Sequence, residues 1–392
     1  MWQVGSQSTS PLAPRLLPPA RSATLASGRN RPVTSHDRQH DEEQVTRMAP
    51  EQISPLEQTI INQIRELGKD HPTVLSSRAN LAAQVGEGGD PARAARLYEQ
   101  LLPDLERVLG ADSADMLLGR SNHAHWVGCA GDPARAAELN KELAADMERL
   151  LGPNHLHTLT TRANYAGWLG EAGHPDQAAE LYEKFVADQT AVLGKDNADV
   201  LVSRANHADM LRRAGRSDEA ADEFERLVAD QTRVLGADRL DTLALRANLA
   251  ECLLESEQPE RAVEVYEGLI PDERRVLGAD HPDALVTRAN HAELLGRLGR
   301  ADDAIAEFGR LADEVGPAMG PAHPFTVAVR GNMGNLLAQQ GRIAESLEVF
   351  EAILADIEPE FGSDDPNTVT ARTSVEYLRE QLRQRGPTSR DL

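Results

Sequence analysis

The hydrophobic positions of the chain recur as two helical stripes per unit. In the first unit Leu75, Arg78, Ala82 and Val85 share one stripe at helical spacing, with Asn80 off it. A second stripe follows: a small residue at Ala94, a ring four residues on at Tyr98, and Leu101 three further on, all on one face. Both stripes return along the chain. The first small site is Ala82, Ala124, Ala166, Ala208, Ala250, Ala292 and Gly334; the second is Ala94, Ala136, Ala178, Ala220, Ala262, Ala304 and Ser346. The ring position holds Tyr98, Tyr182, Phe224, Tyr266, Phe308 and Phe350, with Asn140 the exception. The pattern predicts helix–turn–helix pairs that pack small against large. One pair cannot bury its own faces, whereas stacked copies can.

The interval is 42 residues. Glycine stands at Gly68, Gly110, Gly152, Gly194, Gly236, Gly278, Gly320 and Gly362, with an arginine ten residues after each, from Arg78 to Arg372. Two residues after the arginine comes Asn80, Asn122, Asn164, Asn206, Asn248, Asn290 and Asn332, replaced in the last copy by Ser374. Asp or Asn two residues after the glycine, and Pro72, Pro282, Pro324 and Pro366, read as helix-start signals. A glycine marks the mid-unit turn in six of seven units. The fold class expected is all-α, a right-handed α-α superhelical solenoid of helix–turn–helix repeats.

The period also sets the expected boundaries. Seven units span 68–109, 110–151, 152–193, 194–235, 236–277, 278–319 and 320–361, between a capping helix at 51–67 and a closing, more polar one at 362–384. Residues 51–384 thus read as one elongated domain, although 392 residues alone would suggest two or three. Residues 1–50 read as a disordered leader, rich in Pro, Ser and Arg, and 385–392 as a disordered tail. An organellar transit peptide, or a reading frame that truly starts at Met48, are the other readings of the leader.

Composition narrows the chemistry. The net charge is −22, divided into +2 for residues 1–47 and −24 for the rest, which argues against nucleic-acid and anionic-membrane partners. Aromatics are 4% of the chain, and six of the fourteen stand at the single ring site per unit. Cys129 and Cys252 form no CxxC pair, and no run nears 18 apolar residues. A reducing cytoplasm is the expected setting.

The Asn-x-Ala stretch, the mid-unit Gly, the Ala and the aromatic four beyond it resemble the tetratricopeptide repeat in a long, 42-residue form. The LGxDHP linker and the Asn series are similar to kinesin light chain repeats, and the Arg-x-Asn version to bacterial tandem repeats often fused to signalling ATPases. Neither Gly68-Lys69 nor Gly194-Lys195 has the upstream glycine of a phosphate loop. The resemblance implies a concave groove lined by the Asn series, in which Asn hydrogen-bonds the backbone of an extended peptide.

The candidate peptide-binding residues are therefore Asn80, Asn122, Asn164, Asn206, Asn248, Asn290 and Asn332, since a carboxamide both donates and accepts. The alternative is that each Asn bonds a neighbouring helix and fixes the superhelix. Selectivity would come from the variable residues three and seven after Asn, among them His125, Asp209, Glu251, Glu293 and Glu255. Their acidity suggests a basic peptide partner. The Arg series is paired with a carboxylate 26 residues on (Asp104, Asp146, Asp188, Asp230, Asp272, Glu314, Asp356), which reads as a structural ion-pair ladder. His123, His207 and His291 fall in alternate units and read as packed, so no metal and no cofactor is expected. No nucleophile–base–orienter set is present, and Cys129 one turn from His125 lacks a third member. The function expected is a non-catalytic protein–protein interaction scaffold; the alternative is a sensor module whose superhelix responds to a ligand or partner. Oligomeric state is open.

Overall fold

The computed structural model describes residues 54–385. The expectations for a leader over 1–50, for Met48 as a start and for a tail beyond 385 lie outside the described residues. Sixteen helices follow one another among the described residues. They are α1 (Pro55–Leu67), α2 (Pro72–Glu87), α3 (Pro91–Leu109), α4 (Ala114–Cys129), α5 (Pro133–Leu151), α6 (Leu156–Glu171), α7 (Pro175–Leu193) and α8 (Ala198–Arg213), then α9 (Ser217–Leu235), α10 (Leu240–Glu255), α11 (Pro259–Val276), α12 (Pro282–Arg297), α13 (Ala301–Met319), α14 (Pro324–Gln339), α15 (Ile343–Phe361) and α16 (Pro366–Arg385). The fold class is all-α, with consecutive antiparallel helices in the manner of an α-solenoid. Two compact units divide the chain in the turn between α8 and α9, at Gly215 and Arg216.

The helix ends explain the 42-residue glycine. Gly110 closes α3 at φ 87° and ψ 155°, a region that essentially only glycine occupies, and its amide bonds the Glu106 carbonyl. Counterparts from Gly68 to Gly362 all have positive φ. The next helix is capped three residues after the glycine. His71, His155, His281 and His323 each accept the N2 amide on Nδ1 at 3.2–3.3 Å, and Ser113 accepts the Met116 amide. The Asp two residues after glycine thus precedes the cap. It has another use: Asp70 takes both Arg107 nitrogens at 2.6 Å, and Asp238 takes Arg275 likewise.

The core follows the two stripes. Ala82, Ala124, Ala166, Ala208, Ala250 and Ala292 are wholly buried, as are Ala94, Ala136, Ala178, Ala220, Ala262, Ala304 and Ser346. The ring residues are buried beside them. A third stripe was not expected. Gly86 of α2 makes room for the Trp126 ring of α4; a Cβ on Gly86 would lie 2.6 Å from it. The same relation links Gly128 to Trp168, Gly170 to Met210 and Gly296 to Leu336, always 40 residues apart. Each bulky side chain fills the space left by a glycine in the preceding pair.

Two substitutions test this geometry. Gly86→Ala drives a methyl into Trp126 and is expected to cost about 1–3 kcal/mol of unfolding free energy in a urea titration. Glu257 stands where other units have the mid-unit glycine, and among the described residues it is the non-glycine one with positive φ, 57°. Glu257→Gly should therefore raise stability by roughly 1 kcal/mol, read as a higher urea midpoint with unchanged slope.

Candidate functional site

The Asn series rides on the first helix of each pair. Asn80 is exposed, Asn122, Asn164, Asn206 and Asn248 are buried, and Asn290 and Asn332 are half-buried. The Asn122 amide donates to the Tyr98 hydroxyl at 3.0 Å, and Tyr98 donates in turn to the Ala79 carbonyl at 3.1 Å. Asn206 donates to Tyr182 at 3.4 Å, and Tyr182 to the Ala163 carbonyl at 3.1 Å. Asn290 bonds the Tyr266 hydroxyl. Each relay ties one helix pair to the next. Burial dominates these phenols: it pushes Tyr98 up to about 12, against the opposing Asn122 bond, and raises Tyr182 and Tyr266 as well.

The residues three and seven after Asn divide by exposure. The seventh, at Glu87, Cys129, Glu171, Arg213, Glu255, Arg297 and Gln339, is exposed in every unit. The third is mixed. His125 is half-buried, edge-on to Trp126 at 4.7 Å and near Trp168 at 6.2 Å, and desolvation lowers its pKa. Asp209 is 5% exposed. Burial raises its pKa, opposed by Arg212 at 3.1 Å and Arg213 at 4.0 Å. Arg213 also reaches Glu171 at 2.6 Å and the Gly170 carbonyl at 3.0 Å. Asp209 is thus the centre of a compensated cluster. In the second unit Glu251 is half-buried, while Glu255 and Glu293 are exposed. Burial is the main cause that raises the Tyr266 phenol, and the charges of Glu251 on α10 and Glu293 on α12 add to it. Glu255 accepts from Ser217 at 3.2 Å.

The arginine ladder is present within both units. Arg78–Asp104, Arg120–Asp146, Arg162–Asp188, Arg246–Asp272, Arg288–Glu314 and Arg330–Asp356 are joined at 2.6–3.0 Å. Burial pushes Asp104 up, but bonds from Arg78 and Arg107 outweigh it and hold the carboxyl below its ordinary range. Arg288 is 1% exposed and is bound by Glu307 at 2.7 Å as well as Glu314. These guanidiniums join the two helices of a pair and leave no row of bare cations for an anion. Cys129 Sγ lies 3.6 Å from His125 Nε2, and burial raises the thiol's pKa. Desolvation lowers His123 and His291, and His291 packs 6.2 Å from the Tyr266 ring. Among the described residues no three His, Cys, Asp or Glu side chains converge as metal ligands, and no helix is long and apolar enough to cross a membrane.

Repeated helix pairs, with small and ring residues packed inside and a varying exposed position seven after Asn, define a helical repeat protein. The chain belongs to the tetratricopeptide repeat family: models of that description match residues 74–115, 112–191, 196–268 and 290–365. Such repeats typically mediate protein–protein interaction and are typically non-catalytic. No curated protein matches the sequence. Among solved structures, a Podosopora anserina protein described as a kinesin light chain with nearly identical TPR-like repeats is 23% identical. That match covers 50% of this chain and 93% of that one, at a TM-score of 0.46. The apo quorum sensor NprR from B. thuringiensis is 13% identical over 82% of this chain and 86% of that one, at 0.50. A signal transduction ATPase with a tetratricopeptide repeat sensor, from Pyrococcus horikoshii, is 11% identical. There the match covers 91% of this chain and 51% of that one, at 0.52. At these identities the likeness is one of fold.

One buried acid stood outside the sequence expectations. Glu273 of α11 is 3% exposed, at a position that other units fill with Leu105, Met147, Gln189, Gln231, Val315 and Ile357. Its Oε2 has no partner. Burial lifts its pKa from 4.5 to about 7, against the opposing bond from Thr287. The folded chain therefore keeps a proton that the unfolded chain releases above about 4.5, so this group's contribution to stability falls as pH rises through that window. Glu273→Gln should unfold at a higher urea concentration than the parent at pH 8, by about 1–3 kcal/mol, with the gap closing near pH 4.5.

Proposed function

We propose that the chain is a non-catalytic scaffold that captures an extended peptide or partner helix along the first-helix face of its repeats. The observation that carries this reading is the position seven after Asn. It is exposed in all seven repeats and takes four residue types, Glu, Cys, Arg and Gln, whereas the small and ring positions hardly vary and are buried. A face with constant amide groups and variable exposed side chains suits a ligand held by its backbone and selected by its side chains. Rigid helices pre-order that face and reduce the entropy lost on binding.

The partner is a basic peptide. Glu251, Glu255 and Glu293 sit on α10 and α12, on successive first helices of the second unit, and a Lys- or Arg-bearing segment complements them. Asp209 contributes less to that field, because Arg212 and Arg213 stand against it.

A decapeptide of alternating Lys and Ala, labelled at one end, tests the electrostatic part. It should bind more tightly than its Glu–Ala counterpart, with affinity falling as salt rises. The triple variant Glu251→Gln, Glu255→Gln, Glu293→Gln should weaken it by about tenfold and flatten the salt dependence. Equal binding of both probes, or an unchanged triple variant, would sink the basic-partner reading.

A further inference from the structure

The contact between α11 and α12 is unlike the other joints of the second unit. These two are the least closely packed of its successive helices. α11 is also irregular at both ends. Glu257, at φ 57°, stands in the turn before it. It stops at Val276 with Leu277 as its C-cap, whereas glycine closes α9, α13 and α15. We propose that the α11–α12 contact is a pH-operated joint: Glu273 holds it shut while it keeps its proton, and loss of that proton lets the two helices part.

Counterparts in other repeats place Glu273 inside this joint. Leu105 of α3 faces Gly119 of α4, where an added Cβ would lie 3.0 Å from Leu105 Cδ1. Met147 of α5 meets Thr161 of α6 at 3.1 Å, again 14 residues on. Thr287 of α12, also 14 residues on, bonds Glu273. This position thus looks from one helix pair onto the first helix of the next. The other repeats fill it with uncharged side chains, and Glu273 alone puts an acid there.

The groups around the carboxyl do not suit a negative charge. On α10, Arg246 favours it, but Arg246 Nη1 is already held by Asp272 at 2.6 Å. On α12, Asp283 opposes it. On α11 itself stand Asp272 and the Tyr266 phenol, which the Glu273 charge pushes up. Oε2 is sealed from solvent with no hydrogen bond. A carboxylate there is a buried charge with one bond and no cation of its own; a carboxylic acid avoids that cost. Burial accordingly lifts the pKa to about 7.

Opening the joint brings water to the carboxyl, which then ionises above about 4.5. Opening therefore releases a proton, and between pH 4.5 and about 7 a rise in pH favours the open form. Above about 7 the closed form is ionised too, and the effect levels off. His291 of α12 works in the opposite sense. Its Nε2 is sealed without a partner and its ring lies 6.2 Å from that of Tyr266, so acid puts a charge into the same joint. α10 and α12 carry Glu251 and Glu293, so the joint sets the spacing of these two acids, whatever binds them.

Hydrogen exchange on the full chain, read by mass spectrometry and corrected for the intrinsic rate at each pH, tests the joint. The parent is compared with Glu273→Gln, which keeps His291, so the histidine's titration cancels. Relative to that variant, protection in α11 and the first turns of α12 should fall on the order of tenfold between pH 5.5 and 7.5. α15 should show no such change. Glu273→Leu, which installs the residue found at Leu105, should behave as Glu273→Gln does and repeats the comparison without a buried amide. Equal pH responses in the parent and both variants overturn the joint. A fall of the same size in α15 overturns it as well, because Glu273 then acts on the whole unit and not on one contact.

Discussion

Each helix pair depends on two side chains small enough for neighbouring helices to close over them. Ala82 and Ala94, with their counterparts through Ala292 and Ala304, are fully buried, and the adjacent ring and leucine fill what the small residues leave. Burying one such ring or leucine stabilises by about 1.5–3 kcal/mol, and no pair could do it unaided. The last repeat shows how tight the arrangement is. Gly334 replaces the first alanine, where a Cβ would lie 2.8 Å from the Phe350 ring, and Ser346 replaces the second and donates to the Gly334 carbonyl at 2.7 Å. The two small sites change together because they occupy one contact.

The polar groups take their places from that packing. An ion pair of the exposed or half-buried kind is worth about 0–1 kcal/mol, well below a buried ring. The ladder from Arg78–Asp104 to Arg330–Asp356 therefore fixes the register of the two helices in a pair more than it holds them together. Arg288 is the exception, since its burial makes loss of Glu314 or Glu307 expensive. Between pairs, the tyrosine–asparagine relay is one polar link beside ion pairs such as Arg213–Glu171, and it satisfies a phenol that the close approach of the helices has removed from water.

The fold was legible because its constraints repeat. A glycine that must adopt φ near +90°, two alanines that must be small and a ring that must fill the gap leave the same letters every 42 residues. What depends on pairs of different letters was harder to see. The fit of Trp126 over Gly86 and of Leu336 over Gly296 joins a varying side chain to a glycine 40 residues earlier, so neither column looks constant by itself. The Asp two residues after the glycine reads in the sequence as a helix-start signal, yet Asp70 sits one residue before the cap and bonds Arg107 across 37 residues. Glu273 carried no signal at all, since a lone acid in a repeat column is indistinguishable from a surface acid until the column's other members, Leu105 and Ile357, are seen to be core.

The same reasoning bears on the charge. A net of −22 would suggest a uniformly negative surface, but many of the acids are ladder rungs or helix-end partners of arginine. Asp209, central in the sequence pattern, is buried beside two guanidiniums. The surface field is therefore set by carboxylates outside the ladder; in the second unit Glu251 and Glu293, on two different helices, both help to raise the Tyr266 phenol. The local arrangement of charge decides electrostatic steering; formal charge summed along the chain does not.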